Sequence, residues 1–173
     1  MARNMEVKAR VRDVGDVERT IRDLTRAEPH VMHQEDTFYR VPRGRLKVRH
    51  DEHGESAVVY YLRADTPGPI LSRYFRRRLD DAAATMDELG RRYGVKAVVR
   101  KQRKLFMSGS TRIHLDCVEG LGDFVEIEVP VASMCQKATA ANEARNLMRQ
   151  LGIEPCDVLA CAYEDLLAAN ERT

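Results

Sequence analysis

The chain of 173 residues has no tryptophan, and its six tyrosines and four phenylalanines give little material for the base-stacking platforms of a nucleic-acid binder. No apolar run approaches the ~18 residues that cross a bilayer as a helix. Met1-Ala2-Arg3-Asn4 leads straight into charged sequence, without the apolar core of a secretory leader. The expectation is a soluble, cytoplasmic protein with neither a membrane nor nucleic acid as its partner. The four cysteines, Cys117, Cys135, Cys156 and Cys161, lack both CxxC spacing and the density of a disulfide scaffold, so reduced, packed thiols are expected. A G-x-x-x-x-G-K-[ST] phosphate loop is missing too, and Gly120-Leu121-Gly122 reads as a turn. Charge of one sign is also lacking, since 29 Lys and Arg stand against 27 Asp and Glu for a net of +2. Lysine is scarce: 6 against 23 arginines, and arginine carries the flat fork that suits phosphate oxygens.

What is there suffices for one domain spanning 1–173, with 43% hydrophobic residues and no linker or repeat. Asn4 to Arg12 alternates with a period of two and reads as a strand; Asp16 then caps a helix running to about Arg26. Strands follow at His30–Val41, Arg45–His50, Ser56–Ala64 and Ile70–Arg77. A helix at Asp80–Tyr93, with Ala83, Met86 and Leu89 as its apolar stripe, closes at Gly94. Three more strands occupy Val95–Phe106, Thr111–Val118 and Phe124–Val131. The tail is helical over Ala138–Leu151 and again from Pro155 to about Ala168. Eight strands joined by hairpins or helical excursions predict an α+β fold: an eight-stranded antiparallel β-barrel with amphipathic helices packed outside.

Alternation by itself fits any half-exposed antiparallel sheet. The polar faces here, however, hold ionised residues and few of the Thr, Ser and Gln that decorate a solvated sheet. In strand phase they are Glu6, Lys8 and Arg10; Lys47 and Arg49; Arg63; Lys101 and Arg103; Arg112, His114 and Asp116; and Glu126 and Glu128. If the barrel closes with its apolar faces outward, these converge on the lumen with an excess of four positive charges, leaving His114 aside. Burying that cluster calls for a polyanion. The acids lie on the first strand and the last two, which closure makes neighbours. Glu6, Asp116, Glu126 and Glu128 therefore form one carboxylate patch suited to Mg2+ or Mn2+, opposite a wall of cations.

Of the other candidates, His50 and His53 lie at a hairpin tip and are expected to be solvated, and Arg76-Arg77-Arg78 reads as a solvated edge. For His114, a structural or substrate-contacting role and general acid–base work both stand.

At these residues the chain resembles the CYTH superfamily, named for class IV adenylate cyclase and thiamine triphosphatase, whose members fold as an eight-stranded antiparallel tunnel. The resemblance covers nearly the whole chain. Asn4-Met5-Glu6-Val7-Lys8 matches two of the three defining positions of the family's E-x-E-x-K strand. It is joined by Leu46-Lys47-Val48-Arg49, Val99-Arg100-Lys101-Gln102-Arg103, Arg112-Ile113-His114-Leu115-Asp116 and Phe124-Val125-Glu126-Ile127-Glu128-Val129. Val118-Glu119-Gly120-Leu121-Gly122 and Ala162-Tyr163-Glu164-Asp165-Leu166-Leu167 are similar to the class IV cyclase-like branch.

The resemblance implies a triphosphate-containing small molecule in the tunnel, with Mg2+ or Mn2+ held by Glu6, Glu126 and Glu128 and assisted by Asp116. Phosphate oxygens would fall to Lys8, Lys47, Arg49, Arg63, Lys101, Arg103 and Arg112, with Arg10 one repeat beyond the motif, Arg73 on the fifth strand and His114 among them. Glu6, Lys8, Glu126 and Glu128 would carry the chemistry. Asn4 replaces the first motif Glu, as in cyclase-like relatives; it keeps an oxygen ligand and loses a charge, weakening one metal position. Triphosphate hydrolysis is the favoured expectation, beside class IV cyclisation of ATP and a non-catalytic triphosphate or polyphosphate binder. Monomer and homodimer both stay open.

Overall fold

A computed structural model describes residues 1–170, so the last three residues of the expected 1–173 domain lie outside the described ones. The eight strands form where the alternation places them, with ends displaced by no more than two residues. They are β1 (Ala2–Arg10), β2 (His30–Tyr39), β3 (Arg45–Asp51), β4 (Ser56–Leu62), β5 (Ile70–Arg78), β6 (Val95–Ser108), β7 (Thr111–Val118) and β8 (Gly122–Pro130). All neighbours pair antiparallel, and the sheet closes in the order β1-β5-β4-β3-β2-β6-β7-β8. Closure seats β1 between β5 and β8, with Glu6 opposite Glu128 and Lys8 opposite Glu126. The first strand thus meets the last, as the acid patch required.

The apolar face of the wall points outward. Met5, Val7 and Ala9 of β1, Ile113 and Leu115 of β7, and Val125, Ile127 and Val129 of β8 form one buried cluster. Two helices complete it: α1 (Val14–Thr25) through Val17 and Ile21, and α3 (Lys137–Gln150) through Ala140, Ala144, Leu147 and Met148. α1 starts one turn earlier than expected. Its cap is Asp13, whose carboxylate accepts from the Asp16 N–H at 2.9 Å, leaving Asp16 inside the first turn. α2 (Ala82–Tyr93) ends as expected at Gly94, which takes φ 69°, a value costly for any residue with a Cβ. It lies loosely on the barrel, with Ala83 exposed and Met86 and Leu89 half-buried. Beneath it His50 is half-buried, not solvated: Nε2 is 3.1 Å from Met86 Sδ and Nδ1 is 2.6 Å from Ser56 Oγ. His53 is exposed as expected.

The helix expected from Pro155 to Ala168 is broken. A 3-10 turn at Pro155–Asp157 gives way to extended chain, in which Val158 bridges Ala9 and Leu159 N–H donates to the Lys8 carbonyl at 2.9 Å. Only then does α4 (Tyr163–Asn170) begin. Stitching Val158 and Leu159 to the edge of β1 redirects the chain across the barrel's end, so α4 is a stopper and not a fourth outer helix. Tyr163, Phe38, Val118, Leu121 and Phe124 form a second buried cluster there, with Leu166 and Leu167 packed on it. The cysteines are free as expected, but Cys117, Cys135 and Cys156 are exposed and only Cys161 is half-buried. None of the described helices is long and apolar enough to cross a membrane.

Candidate functional site

The inward faces of the strands enclose a cavity of about 520 Å³. His30, Asp51, Glu55 and Arg76 line it towards the open end, and Tyr61, Tyr163 and Glu164 line it where α4 closes the barrel. Of the residues expected inside, Glu6, Lys8, Lys47, Arg49, Arg63, Lys101, Arg103, Arg112, His114, Glu126 and Glu128 all line this lumen, as does Asn4. Period-two phase explains most of the gathering, because Glu6, Lys8, Lys47, Arg49, Arg112, His114, Glu126 and Glu128 each stand next to a buried strand residue of the opposite face, whereas Lys101 is flanked by exposed Arg100 and Gln102 and Arg63 lies just past β4.

Three expected residues are placed otherwise. Arg10, one repeat past Lys8, overshoots the lumen; its guanidinium donates to the Leu121 carbonyl at 2.8 Å and stacks 4.9 Å from the centre of Phe124. Arg73 is exposed on the same face of β5 as Leu71, which packs against the outer core, whereas Ser72, Tyr74 and Arg76 point inward. Asp116 is fully buried and turned away from the lumen surface. Arg103 grips both of its oxygens at 2.6 Å, and the Tyr163 hydroxyl donates to one of them at 2.9 Å. These bonds occupy Asp116, so it belongs to the support of Arg103 and not to an open metal position. Arg76, expected on a solvated edge, lines the lumen instead.

The acid wall on β1 and β8 is interleaved with bases. Lys8 Nζ lies 3.2 Å from Glu126, Arg103 reaches the same carboxylate at 2.8 Å, and Arg63 lies 3.3 Å from Glu6. Arg112 donates twice to Glu128, at 2.7 and 2.9 Å, and the Asn4 amide is 3.3 Å from it. His114 Nε2 is 3.7 Å from Glu128, short of a hydrogen bond. Acids and bases were expected on different walls, but only Lys47, Arg49 and Lys101 stand apart, on β3 and β6. Even they surround a carboxylate that strand phase did not single out, Asp36 of β2. Eight Lys and Arg and seven Asp and Glu line the cavity, so the expected lumen excess of four positive charges falls to one, His30 and His114 aside.

Electrostatics separates the acids. Burial, reinforced by Glu126 and Glu128, pushes the Glu6 carboxyl up to about 7, and Arg63 and Lys8 only partly offset it. Burial also works against Glu128, but His114 and Arg112 outweigh it and draw this group down to about 2. Against burial, Lys8 and Arg103 hold Glu126 well below the usual carboxylate range. Among the described residues no three His, Cys, Asp or Glu side chains are already set as a complete metal site. The donor set nonetheless fits a hard divalent cation that takes one or two carboxylates and completes its shell with water and phosphate oxygens. Glu6, pushed up by burial and by its acidic neighbours, is the group such a charge would relieve.

Strand phase alone passed over Asp36, Tyr163, Tyr61, Tyr74 and Gln34. The polar run Gln34-Glu35-Asp36-Thr37 inside a strand, and Tyr163 in the quoted C-terminal motif, were the available signals.

Comparison with known proteins agrees with this architecture. A Methanocaldococcus jannaschii protein, provisionally named an adenylate cyclase, is 23% identical over 94% of this chain and 97% of its own length. A solved Pyrococcus horikoshii structure superposes with a TM-score of 0.85 at 26% identity, covering 94% of this chain and 98% of that one. A Hippeastrum protein, provisionally called an adenylyl cyclase and described as having a dominant triphosphatase activity, shares the fold with a TM-score of 0.64 at 11% identity, covering 98% and 96%. The CYTH domain family matches residues 2–163, the whole barrel up to the first residue of the stopper helix, and the chain belongs to that family.

Proposed function

We propose that the tunnel binds a triphosphate-containing small molecule together with Mg2+ or Mn2+ and hydrolyses it. The observation that carries this reading is the ring order. β1 and β8, bearing Glu6, Lys8, Glu126 and Glu128, stand four strands round from β2 and β3, bearing Asp36, Lys47 and Arg49. A chain of phosphates laid between them meets the Lys47, Arg49 and Lys101 cluster on one side and carboxylates interleaved with bases on the other. Lys47, Arg49 and Lys101 hold the phosphate oxygens, while Lys8, Arg63 and Arg112 neutralise the end nearest the acids. Glu6, Glu126 and Glu128 would hold the cation, which would supply further neutralisation of the phosphate oxygens. Water attacks the terminal phosphorus, the bond to the bridging oxygen breaks, and orthophosphate leaves. Positioning and charge carry most of such a reaction.

The triphosphatase activity printed for the Hippeastrum relative supports hydrolysis. Cyclisation of ATP, with the ribose 3′-hydroxyl attacking the α-phosphorus and pyrophosphate leaving, is the second reading. It is favoured by the less polar Met32, Tyr74 and Leu105 in the lumen lining, where a nucleobase can rest. The test is incubation with tripolyphosphate, ATP or thiamine triphosphate in Mg2+ or Mn2+ and identification of products. Orthophosphate marks hydrolysis, cAMP with pyrophosphate marks cyclisation, and metal-dependent affinity without turnover marks a binder. If Glu126→Gln, Glu128→Gln and Lys8→Ala all left turnover untouched, the tunnel would not be the site.

A further inference from the structure

Asp36 is 1% exposed, and it accepts four hydrogen bonds from three cations on the two strands that flank it. Arg49 Nε reaches Oδ1 at 2.6 Å; on Oδ2 converge Arg49 Nη2 at 2.8 Å, Lys47 Nζ at 2.8 Å and Lys101 Nζ at 2.7 Å. One carboxylate therefore ties together every cation of the wall opposite the acids. These bases come from β3 and β6, separated by some fifty residues of chain, and β2 is the strand between them.

Without Asp36 three like charges would crowd a site in which the Lys101 side chain is 1% exposed, and lysine is the base that escapes such a site by losing its proton. Facing Lys101 are Asp36 and Gln34 on β2, Lys47 and Arg49 on β3, Arg103 on its own strand and Asp116 on β7. Asp36 alone among them is an anion bonded to it, since Asp116 is spent on Arg103 and Tyr163. Burial, with Arg49, Arg103 and Lys47, brings the Lys101 ammonium down to about 7 even with Asp36 in place. Lys47 is lowered as well, by burial and Arg49 against Asp36. Asp36 itself stays ionised: Arg49, Lys101 and Lys47 together outweigh its burial and hold it well below the usual range.

We infer that Asp36 is a positioning residue that gathers Lys47, Arg49 and Lys101 into one cradle and favours the charged form of its lysines, so that an incoming polyphosphate meets a preassembled cationic wall. This rests on reading the tunnel as a triphosphate site. A ligand phosphate shares the cations with Asp36 and at neutral pH finds Lys101 partly protonated already. Once Asp36 is neutralised, the same phosphate must recruit a proton to Lys101 on binding, and that requirement grows with pH.

The test is calorimetric titration of Asp36→Asn with tripolyphosphate at pH 6 and pH 8 beside the unaltered protein. Expected is a loss of affinity of about tenfold or more at pH 8 and a clearly smaller loss at pH 6. The Asp36→Asn, Lys101→Arg double variant narrows the gap between the two pH values, because arginine keeps its proton. An equal loss at both pH values would reduce Asp36 to a structural residue, and tighter binding by Asp36→Asn at pH 8 would make it a competitor of the ligand; either overturns the inference. If the unaltered protein binds no tripolyphosphate, the triphosphate reading fails, and the titration of Lys101 followed by NMR of its side chain decides for Asp36. A midpoint near 7 that falls by about one pH unit in Asp36→Asn upholds the positioning role, and an unmoved midpoint ends it.

Discussion

The Lys8 ammonium lies 3.5 Å from the centre of the Tyr163 ring, a cation–π contact between the first strand of the barrel and the helix that stoppers it. The hydroxyl of the same ring donates to Asp116, the carboxylate that grips Arg103. A single side chain of α4 therefore steadies two lumen bases, and Tyr163→Phe should separate its two contacts. Removing the hydroxyl leaves Asp116 one donor short, at a cost of about 1–2 kcal/mol in stability. Turnover should fall severalfold. Tyr163→Leu, which also removes the ring beneath Lys8, should lose more on both counts, in thermal melts and in orthophosphate release. Equal behaviour of the two variants would show that the ring contact carries nothing.

Glu6 sets a pH dependence whose sign is unusual for a carboxylate in a salt-bridged site. Its folded value of about 7 lies above the ordinary 4.5, so its contribution to stability is present below about pH 4.5 and is lost as pH rises through about 7. Glu6→Gln should remove that loss. Without divalent cation the variant should be more stable than the unaltered protein at pH 8, by up to about 3 kcal/mol, with the two converging near pH 4. Mg2+ or Mn2+ should then raise the melting temperature of the unaltered protein more than that of Glu6→Gln. Melting curves across pH, with and without the ion, check both statements.

Restoring the family's glutamate at position 4 tests whether Asn4 weakens a metal position. Asn4 lies 3.3 Å from Glu128, so Asn4→Glu replaces an amide donor by a second negative charge in a buried place. The ion-free variant should be destabilised by about 1–3 kcal/mol. With Mn2+ the order should reverse, and ion affinity should rise by about tenfold as one more hard ligand becomes available. Titration of Mn2+ followed by its paramagnetic signal measures this directly, and an unchanged affinity would place position 4 outside the ion's reach.

Two arginines of neighbouring character should behave oppositely. Arg49 points into the lumen with both forks on Asp36, while Arg73 lies exposed on the outer face of β5. Arg49→Ala should weaken tripolyphosphate binding by about ten- to a hundredfold. Arg73→Ala should leave it within about twofold, as expected for a solvated charge.

The legibility of the site in the sequence follows from how each strand is decorated. β1, β3 and β8 carry ionised residues at alternate positions with apolar ones between, so Lys8, Arg49 and Glu128 announce their face without any structure, whereas Lys101 and Arg103 of β6 stand in the polar run Arg100–Lys104. β2 gives no such contrast: inward His30, Met32, Gln34, Asp36 and Phe38 alternate with outward Val31, His33, Glu35, Thr37 and Tyr39, and neither set reads as the polar one. Asp36 becomes conspicuous only once β2 is known to lie between β3 and β6. Arg73 fails for the complementary reason, since an exposed outer face carries the same residue type as the lumen-facing one. Helical spacing over 155–168 concealed the break at Val158 and Leu159, where pairing with β1 overrides local propensity. Tyr163 was therefore placed on an outer helix when it belongs to the bottom of the tunnel.

The pairing of β1 with β8 also bears on how the protein comes into being. Glu6 and Lys8 emerge from the ribosome early, yet their partners Glu126 and Glu128 follow some 120 residues later and Tyr163 later still. A sheet whose first strand waits for its last is rich in distant contacts, and such topologies assemble slowly. During synthesis the acids and bases of the future lumen remain separately hydrated, and no partial chain has the pocket. Competence should therefore arrive in one late step, and a substitution that breaks the backbone pairing of β1 with β8, such as Val7→Pro, should prevent assembly where side-chain changes at the same junction do not.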